Sequence, residues 1–435
     1  MERRSFVKSL TGSLAALPLL PSLGAALTEP LQNLHGDLDK LGDADWGRAH
    51  WKRVRQEFLL NPDVIHLNCG SVGAVPRLVL DALSSYTYQL EGNPARNTWG
   101  GLGSGMEAVR QKAADFIGAE LEETVLTRNT TEGMNAVAAG LDLGEGDEIL
   151  TTTHEHGGGM VCWQHLARRS GARIVQIDMP APARDADQIL QLVRDHITPR
   201  TRVCSFSHIE TLTGLQMPLA AIAEITRPKG ILLACDGAQA PGMLDVDVKA
   251  LGVDTYASSS HKWMLAPKGC GLLYIRKEAQ ERVQPAFTYS GPGSYSASSG
   301  TRNVAQILAH GVTMDFHNAI GRPRVEARCR QLMARMRDRL DRVDGLQCVT
   351  PALASLTGGI VSYSVDPDRA SNRDIAGRLW QDHDIVVKVM PGTYKIEGGV
   401  KPKNYNGLRF STHIFNNEAE IDRTADLIAH MLKKA

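Results

Sequence analysis

The chain has 435 residues, of which 43% are hydrophobic and 22% are charged, so it can bury a large core and is not a disordered protein. Its 48 basic and 48 acidic residues cancel, so no global charge directs it to nucleic acid or to an anionic membrane. The 41 glycines and 20 prolines follow no period, which excludes collagen-like and low-complexity sequence and fits an α/β enzyme with many tight turns.

Residues 1–26 have the pattern of an export signal rather than of a folded element. The pair Arg3 and Arg4 precedes an apolar run over 10–23, which two prolines interrupt, and small residues follow. This run is too short for a bilayer, which needs about 20 helical residues. We therefore predict a twin-arginine signal peptide, export through the twin-arginine translocase, and a periplasmic protein without a membrane anchor. The alternative is a frayed basic N-terminus.

Seven cysteines show no Cys-x-x-Cys spacing, and most of them lie among apolar residues. This pattern favours free, reduced thiols over a disulfide framework or a zinc site. We predict no metal.

From residue 124 onward, strand-like apolar runs alternate with helical patterns. The predicted strands cover 124–128, 148–152, 173–178, 202–206, 230–236, 255–258 and 270–275. The predicted helices begin at 131, cover 157–170, and lie near 186–197 and near 219–226. Alternating βα units with apolar strands indicate a mostly parallel sheet with helices on both faces. The short connection to the seventh strand predicts that this strand runs antiparallel.

The pattern changes after residue 305. The predicted elements are a long helical stretch over roughly 305–343, a strand over 359–364, a helix near 371–382, a strand over 385–389 and a closing helix from 418. We expect a large domain over 91–304 and a smaller α+β domain over 305–435, which the segment 27–90 joins.

Polar residues stand at or after the ends of five predicted strands, at 129–133, 154–158, 207–208, 236–239 and 258–263. Because ligands bind beyond the carboxyl ends of parallel strands, we expect one site at this rim.

The first polar group combines a helix start with hydroxyl groups. Asn129 and Glu132 form a capping pattern, and the free amides of that turn, with the hydroxyls of Thr130 and Thr131, would suit a phosphate. A helix cap without a ligand gives the same pattern.

Lys262 and Asp236 are the residues most suggestive of cofactor chemistry. A lysine amine among polar groups can form a Schiff base with an aldehyde cofactor. A carboxylate that ends an apolar strand needs a cationic partner, and the protonated ring nitrogen of pyridoxal phosphate would be one. The alternatives are a solvated loop lysine and an aspartate that caps the next turn.

Together, eight motifs resemble the class V aminotransferase family of fold type I pyridoxal phosphate enzymes over about 65–417. They lie at 67–76, 92–96, 109–118, 127–135, 236–239, 260–262, 299–303 and 409–416. The Asn-Thr-Thr-Glu and Gly-Ser-x-Gly stretches are most similar to the isopenicillin N epimerase-like branch. The resemblance implies a large domain with a mostly parallel seven-stranded sheet, a smaller α+β C-terminal domain, pyridoxal 5′-phosphate, and a homodimer that shares its active sites.

The resemblance also implies a role for each matching residue. Lys262 would hold the cofactor and carry the α-proton, and Asp236 would pair with the ring nitrogen. His156 would stack on the ring, in preference to His154, which we interpret as structural.

Other motif residues would complete the cofactor site. Gln239 or Ser207 would lie near the ring hydroxyl. The phosphate would be held by Thr130, Thr131, Ser259 and His261, and by Thr301 from the neighbouring subunit. Arg409, with Asn68, would bind the substrate carboxylate through a bidentate fork that lysine does not imitate.

We expect an enzyme that acts on the amino group of an amino acid or a peptide-linked amine, by transamination, epimerisation or a related carbanion reaction. Secreted peptides such as siderophores are candidate substrates. The alternatives are a carbon–sulfur lyase or desulfurase-like enzyme, and a non-catalytic binding protein that retains the fold.

A cysteine desulfurase presents a nucleophilic cysteine ahead of the carboxylate-binding arginine. Residues 388–408 contain no cysteine, and the last cysteine of the chain is Cys348. We therefore expect no desulfurase activity. Cys69, which lies in the predicted turn 68–73, is the one thiol that would suit an unusual nucleophile; the alternative is a small residue that fits a tight turn.

Overall fold

The computed structural model describes residues 21–42, 46–285 and 300–433. Arg3 and Arg4 of the predicted signal lie outside these residues, and export stays a prediction. Within the described part of the chain, no helix has both the length and the hydrophobicity that crossing a membrane requires.

A seven-stranded sheet forms the centre of the larger part of the molecule. With Ile65–His66 as β1, its strands are β2 (Thr124–Thr127), β3 (Glu148–Thr152), β4 (Arg173–Ile177), β5 (Thr201–Ser207), β6 (Leu232–Asp236), β7 (Thr255–Ser259) and β8 (Gly271–Ile275). Their order is β2-β8-β7-β6-β5-β3-β4, and β3 to β7 run parallel. β8 is antiparallel to both β7 and β2. The predicted α/β fold and its antiparallel last strand are confirmed.

Both faces of the sheet are buried, which explains why its strands are almost continuously apolar. On one face, Ile149 packs with the helices Thr130–Gly140 and Gly157–Ser170. The next residue, Leu150, points to the opposite face, where the core includes the helix Ala186–His196.

The helices around the sheet agree closely with the predicted ones. The two predicted over 157–170 and 219–226 have those bounds in the structure. The remaining helices up to the second core are Pro21–Lys40, Arg48–Arg55, Arg77–Gly92, Pro94–Trp99, Met106–Ile117, Val248–Leu251 and Val304–Ile320.

A second core surrounds an antiparallel sheet of order β12-β13-β10-β9. Its strands are β9 (Leu346–Cys348), β10 (Ile360–Val365), β12 (Lys388–Val389) and β13 (Gly407–Ser411). β11 (Ile385–Val386) pairs in parallel with β1 instead. The helices of this part are Arg322–Leu340, Asn372–His383 and Glu418–Lys433.

The stretch predicted to be helical over roughly 305–343 is helical in the structure, but it is interrupted once. The structure has two helices, Val304–Ile320 and Arg322–Leu340, because Gly321 adopts a φ of 97°, a left-handed conformation that ends a helix. Pro323 then lies in the first turn of the second helix, where it needs no hydrogen-bond acceptor.

The single strand predicted over 385–389 is wrong. It consists of β11 and β12, which pair with different partners, β1 and β13. The local sequence could not predict this change of partner strand, because β1 lies more than 300 positions earlier in the chain.

The predicted domain limits stay a prediction, but the packing of the elements at those limits is clear. The buried side chains of Val304–Ile320 belong to the core beside the large sheet. Within the predicted joining segment 27–90, Ile65 packs in the second core, whereas Val79 packs in the first. The segment therefore contacts both cores.

Candidate active site

The predicted site residues meet at the carboxyl ends of the parallel strands. The end of β3 leads to His156, β5 ends at Ser207, β6 ends at Asp236, and Lys262 follows β7. β3, β5, β6 and β7 are direct neighbours in the sheet, so these residues share one rim.

Two residues predicted to hold the phosphate contact each other. The amide nitrogen of Thr130 donates to Ser259 Oγ at 2.8 Å, and the Thr130 hydroxyl lies 2.8 Å from the same oxygen. The Asn129 side chain accepts from the Glu132 amide at 2.9 Å and so caps the helix, as predicted. The hydroxyl groups of Thr130 and Ser259 thus meet at the N-terminus of the helix Thr130–Gly140, a favourable place for an anion.

Thr131, which is also predicted to hold the phosphate, lies against the neighbouring helix. A Cβ atom on Gly158 would be 2.8 Å from Thr131 Oγ1. The N-termini of the helices Thr130–Gly140 and Gly157–Ser170 therefore approach each other closely, and only glycine at 158 leaves the space between them open.

His261 places a buried nitrogen at the same rim. Its Nδ1 has no hydrogen-bond partner among the described residues. Burial, followed by the charges of Lys262 and Lys268, lowers the pKa of His261 to about 4, so the ring is neutral near pH 7. Thr301 is exposed, and its role in a neighbouring subunit stays a prediction.

Asp236 is buried, and its two carboxylate oxygens face different neighbours. Oδ1 accepts from the Ala238 amide at 2.9 Å, so the predicted turn-capping alternative describes this oxygen. Oδ2 faces the helix that begins at Gly157: a Cβ atom on Gly159 would lie 2.5 Å from it. The space in front of Oδ2 therefore exists only because residue 159 is glycine.

The Lys262 side chain is partly buried, and its amine has no hydrogen-bond or ion-pair partner among the described residues. The Asp236 carboxylate acts on this amine electrostatically. Burial lowers its pKa to about 8, against the opposing effect of Asp236. A solvated loop lysine would not show this shift, so the environment favours the reactive-amine interpretation.

The turn 68–73 fixes the backbone at Lys262. The Gly73 amide donates to the His261 carbonyl at 2.9 Å, and a Cβ atom on Gly73 would lie 2.0 Å from the Lys262 carbonyl oxygen. Cys69 Sγ lies 3.6 Å from that same oxygen. Burial raises the pKa of the Cys69 thiol well above its usual range, so the thiol stays protonated.

His156 caps the helix Gly157–Ser170 and exposes its ring. Its Nδ1 accepts from the Gly158 amide at 3.0 Å, which requires an unprotonated nitrogen. Partial burial and then the charge of Lys262 lower the pKa of His156, in agreement with that hydrogen bond. His154, in contrast, is fully buried between Glu210 Oε2 at 2.8 Å and the Tyr405 hydroxyl at 3.1 Å.

Ser207 and Gln239 are both engaged by protein groups. The Ser207 hydroxyl donates to Glu155 Oε2 at 2.6 Å. Gln239 donates through Nε2 to the Gly70 carbonyl at 2.9 Å and accepts from Trp263 Nε1 at 2.7 Å. The role near the ring hydroxyl that was predicted for Gln239 or Ser207 stays a prediction.

Sequence reasoning gave Glu155 no role. This buried carboxyl group lies beside the rim and also accepts from Thr152 Oγ1 at 3.0 Å. Burial raises its pKa to about 8, and the charges of Glu210 and Asp236 act in the same direction. A glutamate directly after an apolar strand was the available signal, since such a position is rarely solvated.

Arg409 lies on β13 and is buried against the turn 68–73 and the chain that follows β5. Its Nη1 donates to Thr211 Oγ1 at 2.5 Å, and its Nη2 donates to Asn68 Oδ1 at 3.0 Å and to Ser71 Oγ at 3.1 Å. Its Nε has no partner, and no described carboxylate pairs with the guanidinium. Burial lowers its pKa to about 10, so it remains a cation that lacks a counter-ion. The predicted pair of Arg409 and Asn68 is brought together.

A segment over 390–406, which we call the crossing segment, connects β12 to β13 by way of the large sheet. The Tyr394 amide donates to the Thr153 carbonyl at 2.9 Å, and Lys403 pairs with Asp178 at 2.7 Å. A Cβ atom on Gly157 would lie 3.0 Å from the Tyr394 ring. The crossing segment therefore ties the strand of Arg409 to the rim that carries His156.

Comparison with known proteins identifies the family of this chain. Residues 70–424 match the aminotransferase class-V family. The chain belongs to the class V aminotransferase family. It is 32% identical over 408 residues to the isopenicillin N epimerase of Amycolatopsis lactamdurans, covering 88% of this chain and 99% of that protein. It is also 31% identical over 322 residues to a probable cysteine desulfurase of Vibrio cholerae, covering 69% of this chain and 78% of that protein.

A solved structure agrees with this assignment. The chain is similar to a mutant of the protein C-DES that has glycine covalently linked to its pyridoxal phosphate cofactor, with a TM-score of 0.73, 25% identity, and coverage of 86% of this chain and 98% of that chain. The fold is that of the fold type I pyridoxal phosphate enzymes, and pyridoxal phosphate is the cofactor.

The residues of the site fit this cofactor through their own chemistry. Lys262 supplies an unpartnered amine for the aldehyde, and the buried Asp236 supplies a carboxylate for the ring nitrogen. The hydroxyls and amides around Thr130 and Ser259 suit the phosphate. Gly159 leaves open the space before the Asp236 carboxylate that a side chain would fill.

Proposed function

We propose that this protein is an exported pyridoxal phosphate enzyme that acts on the amino group of an amino acid or a peptide-linked amine, by transamination or epimerisation. One observation carries the proposal: the buried Arg409 cation has no carboxylate partner among the described residues, and it lies at the same site as the unpartnered Lys262 amine. A substrate with a carboxylate next to an amino group would satisfy both.

When bound, pyridoxal phosphate supplies an electron-withdrawing ring that stabilises negative charge on the α-carbon of an attached amine. Asp236 would keep the ring nitrogen protonated, because it is a buried carboxylate whose Oδ2 lies beside Gly159, where no side chain covers it. Lys262 would accept the α-proton at Nζ, since its lowered pKa leaves a substantial fraction of free base near pH 8.

Arg409 would orient the substrate rather than take part in proton transfer. Hydrogen bonds to Asn68, Ser71 and Thr211 hold the guanidinium in one plane before substrate arrives. A fixed planar fork favours a carboxylate in one orientation, which would set the α-carbon against Lys262.

Sulfur transfer to a protein thiol is disfavoured, although a probable cysteine desulfurase is similar to this chain. The crossing segment contains no cysteine, and Cys69 is buried with a raised pKa. A carbon–sulfur lyase reaction would need no protein thiolate and is the remaining alternative.

The export part of the proposal rests on Arg3 and Arg4, and the shared dimeric site rests on the family resemblance. Replacing both arginines with lysine is expected to retain the protein in the cytoplasm with its cofactor bound. Delivery of that double variant to the periplasm at the normal level would contradict the twin-arginine route.

The activity is tested by incubating the cofactor-loaded enzyme in D₂O with a panel of L- and D-amino acids, cystine and short peptides. Deuterium at the α-carbon with inversion identifies epimerisation, and an oxo acid identifies transamination. Sulfide or persulfide would identify the lyase alternative. The absence of α-deuterium and of oxo acid for every compound would contradict the proposed function.

A further inference from the structure

A second cation, Lys388, stands beside Arg409 without a counter-ion. Lys388 and Arg409 are direct partners in the antiparallel pairing of β12 with β13. Residues opposite each other in such a pair carry their side chains on the same face, with Cβ atoms about 5 Å apart. The half-buried Lys388 has no hydrogen bond or ion pair with another described residue, and none of the described acidic groups neutralises either cation.

The face that these two cations share is the one that faces the active site. Along β13, Leu408 and Phe410 point into the second core. Arg409 and Ser411 point the other way, and Ser411 Oγ accepts from the Gly70 amide at 3.0 Å in the turn beside Lys262. The positive charge of Lys388 also acts on the His156 ring, which lies across the site from β13.

We propose that Lys388 is a specificity-determining residue that binds a second acidic group of the substrate. The inference rests on the proposed function, in which Arg409 takes the carboxylate next to the amine. A substrate with one carboxylate leaves one of the two cations unneutralised in a partly buried site, whereas a substrate with a second acidic group on its side chain neutralises both. The amines that this enzyme prefers are therefore dianionic.

The simplest competing explanation is that Lys388 and Arg409 share a single carboxylate. Matched probes separate the two explanations. L-Glutamate and L-glutamine have the same shape and differ in the side-chain charge, and L-aspartate and L-asparagine form a shorter pair. The change in cofactor absorption on mixing gives a dissociation constant for each probe without reference to turnover.

We expect the cofactor-loaded enzyme to bind the acid of at least one pair about ten-fold more tightly than its amide. Lys388→Met, which removes the charge and keeps an unbranched side chain, should reduce that ratio to about one and leave the affinity for the amide unchanged. Lys388→Arg should retain the preference. The matched control is Lys401→Met, which removes an exposed lysine of the crossing segment and should leave the ratio unchanged.

Two results would overturn the inference. Equal affinity of the native enzyme for the acid and the amide of both pairs, with clear absorption changes, would contradict it and leave the proposed function intact. Equal loss of affinity for acid and amide in Lys388→Met would show that the two cations share one carboxylate. Absence of any absorption change with these probes and with every compound of the wider amino acid and peptide panel would instead contradict the proposed function itself.

Discussion

Ser259 Oγ lies 2.8 Å from both the amide nitrogen and the hydroxyl oxygen of Thr130. This contact joins the end of β7 to the helix after β2, two strands that are separated by β8. It holds the predicted phosphate site and the start of the Lys262 loop in a fixed relation.

Borohydride reduction of the cofactor-loaded protein should attach the cofactor to the peptide that contains Lys262. Its unpartnered amine and its pKa of about 8 distinguish it from Lys268, whose Nζ donates to the Gly73 carbonyl at 3.2 Å. Peptide mapping by mass spectrometry locates the label, and Lys268→Ala should still be labelled. Recovery of the label on Lys268 would overturn the assignment.

Gly159→Ala should weaken cofactor binding at least ten-fold, because the new Cβ atom would lie 2.5 Å from Asp236 Oδ2 and displace the carboxylate. Gly377→Ala is the matched control, since its Cβ atom meets nothing within 4 Å in the helix Asn372–His383. That control should be neutral or stabilised by up to about 1 kcal/mol. Fluorescence titration with pyridoxal phosphate measures both, and an unchanged affinity for Gly159→Ala would contradict the placement of Asp236.

Arg409→Lys should raise the KM for α-carboxylate substrates about ten- to a hundred-fold, with the cofactor absorption unchanged. A lysine supplies no bidentate fork, and the loss of a charge-assisted pair costs about 1.5–3 kcal/mol. Steady-state kinetics with the substrate identified by the panel checks this. If KM did not change, the substrate would present no carboxylate at this position.

The stability of the cofactor-free protein should depend on pH through Lys262. Its folded pKa of about 8 lies below the unfolded value of about 10.4, so the folded state binds fewer protons between these values. Stability therefore rises with pH across this interval, by up to about 3 kcal/mol. Lys262→Met should lose this part of the slope. Urea unfolding at pH 8 and pH 10.5 gives the difference, and parallel slopes for both proteins would refute the prediction.

Sulfide release from L-cysteine in the presence of a reductant should be negligible and should not change in Cys69→Ser. The Cys69 thiol is buried, its pKa is raised, and it lies against the Lys262 carbonyl oxygen. Rapid sulfide release that the substitution abolishes would identify Cys69 as a sulfur acceptor after all.

The sequence predicted the large sheet well because most residues of its parallel strands are buried, and the strands are therefore largely apolar; the edge strand β4, with its exposed Arg173, is the exception. Polar residues at strand ends then located the rim, and Asn129 marked the start of its helix. The smaller sheet was harder to predict. β11 and β12 have two residues each, and their partners β1 and β13 are distant in the chain or were not predicted.

Contacts that cross between distant segments could not be predicted from local patterns. The hydrogen bonds of Ser207 to Glu155 and of Gln239 to Trp263 depend on tertiary packing. The same holds for the glycine at 159, which looks like an ordinary helix residue until the position of Asp236 is known.

The crossing segment has one more consequence, which concerns substrate length. Both strands beside it, which carry Lys388 and Arg409, are tied to the end of β3 through Tyr394 and to Asp178 through Lys403. These contacts hold the strand of Arg409 against the large sheet, whose rim carries Lys262. For a substrate that binds Arg409 through its carboxylate and Lys262 through its amine, as proposed, these contacts would limit the number of carbon atoms between the acid and the amine.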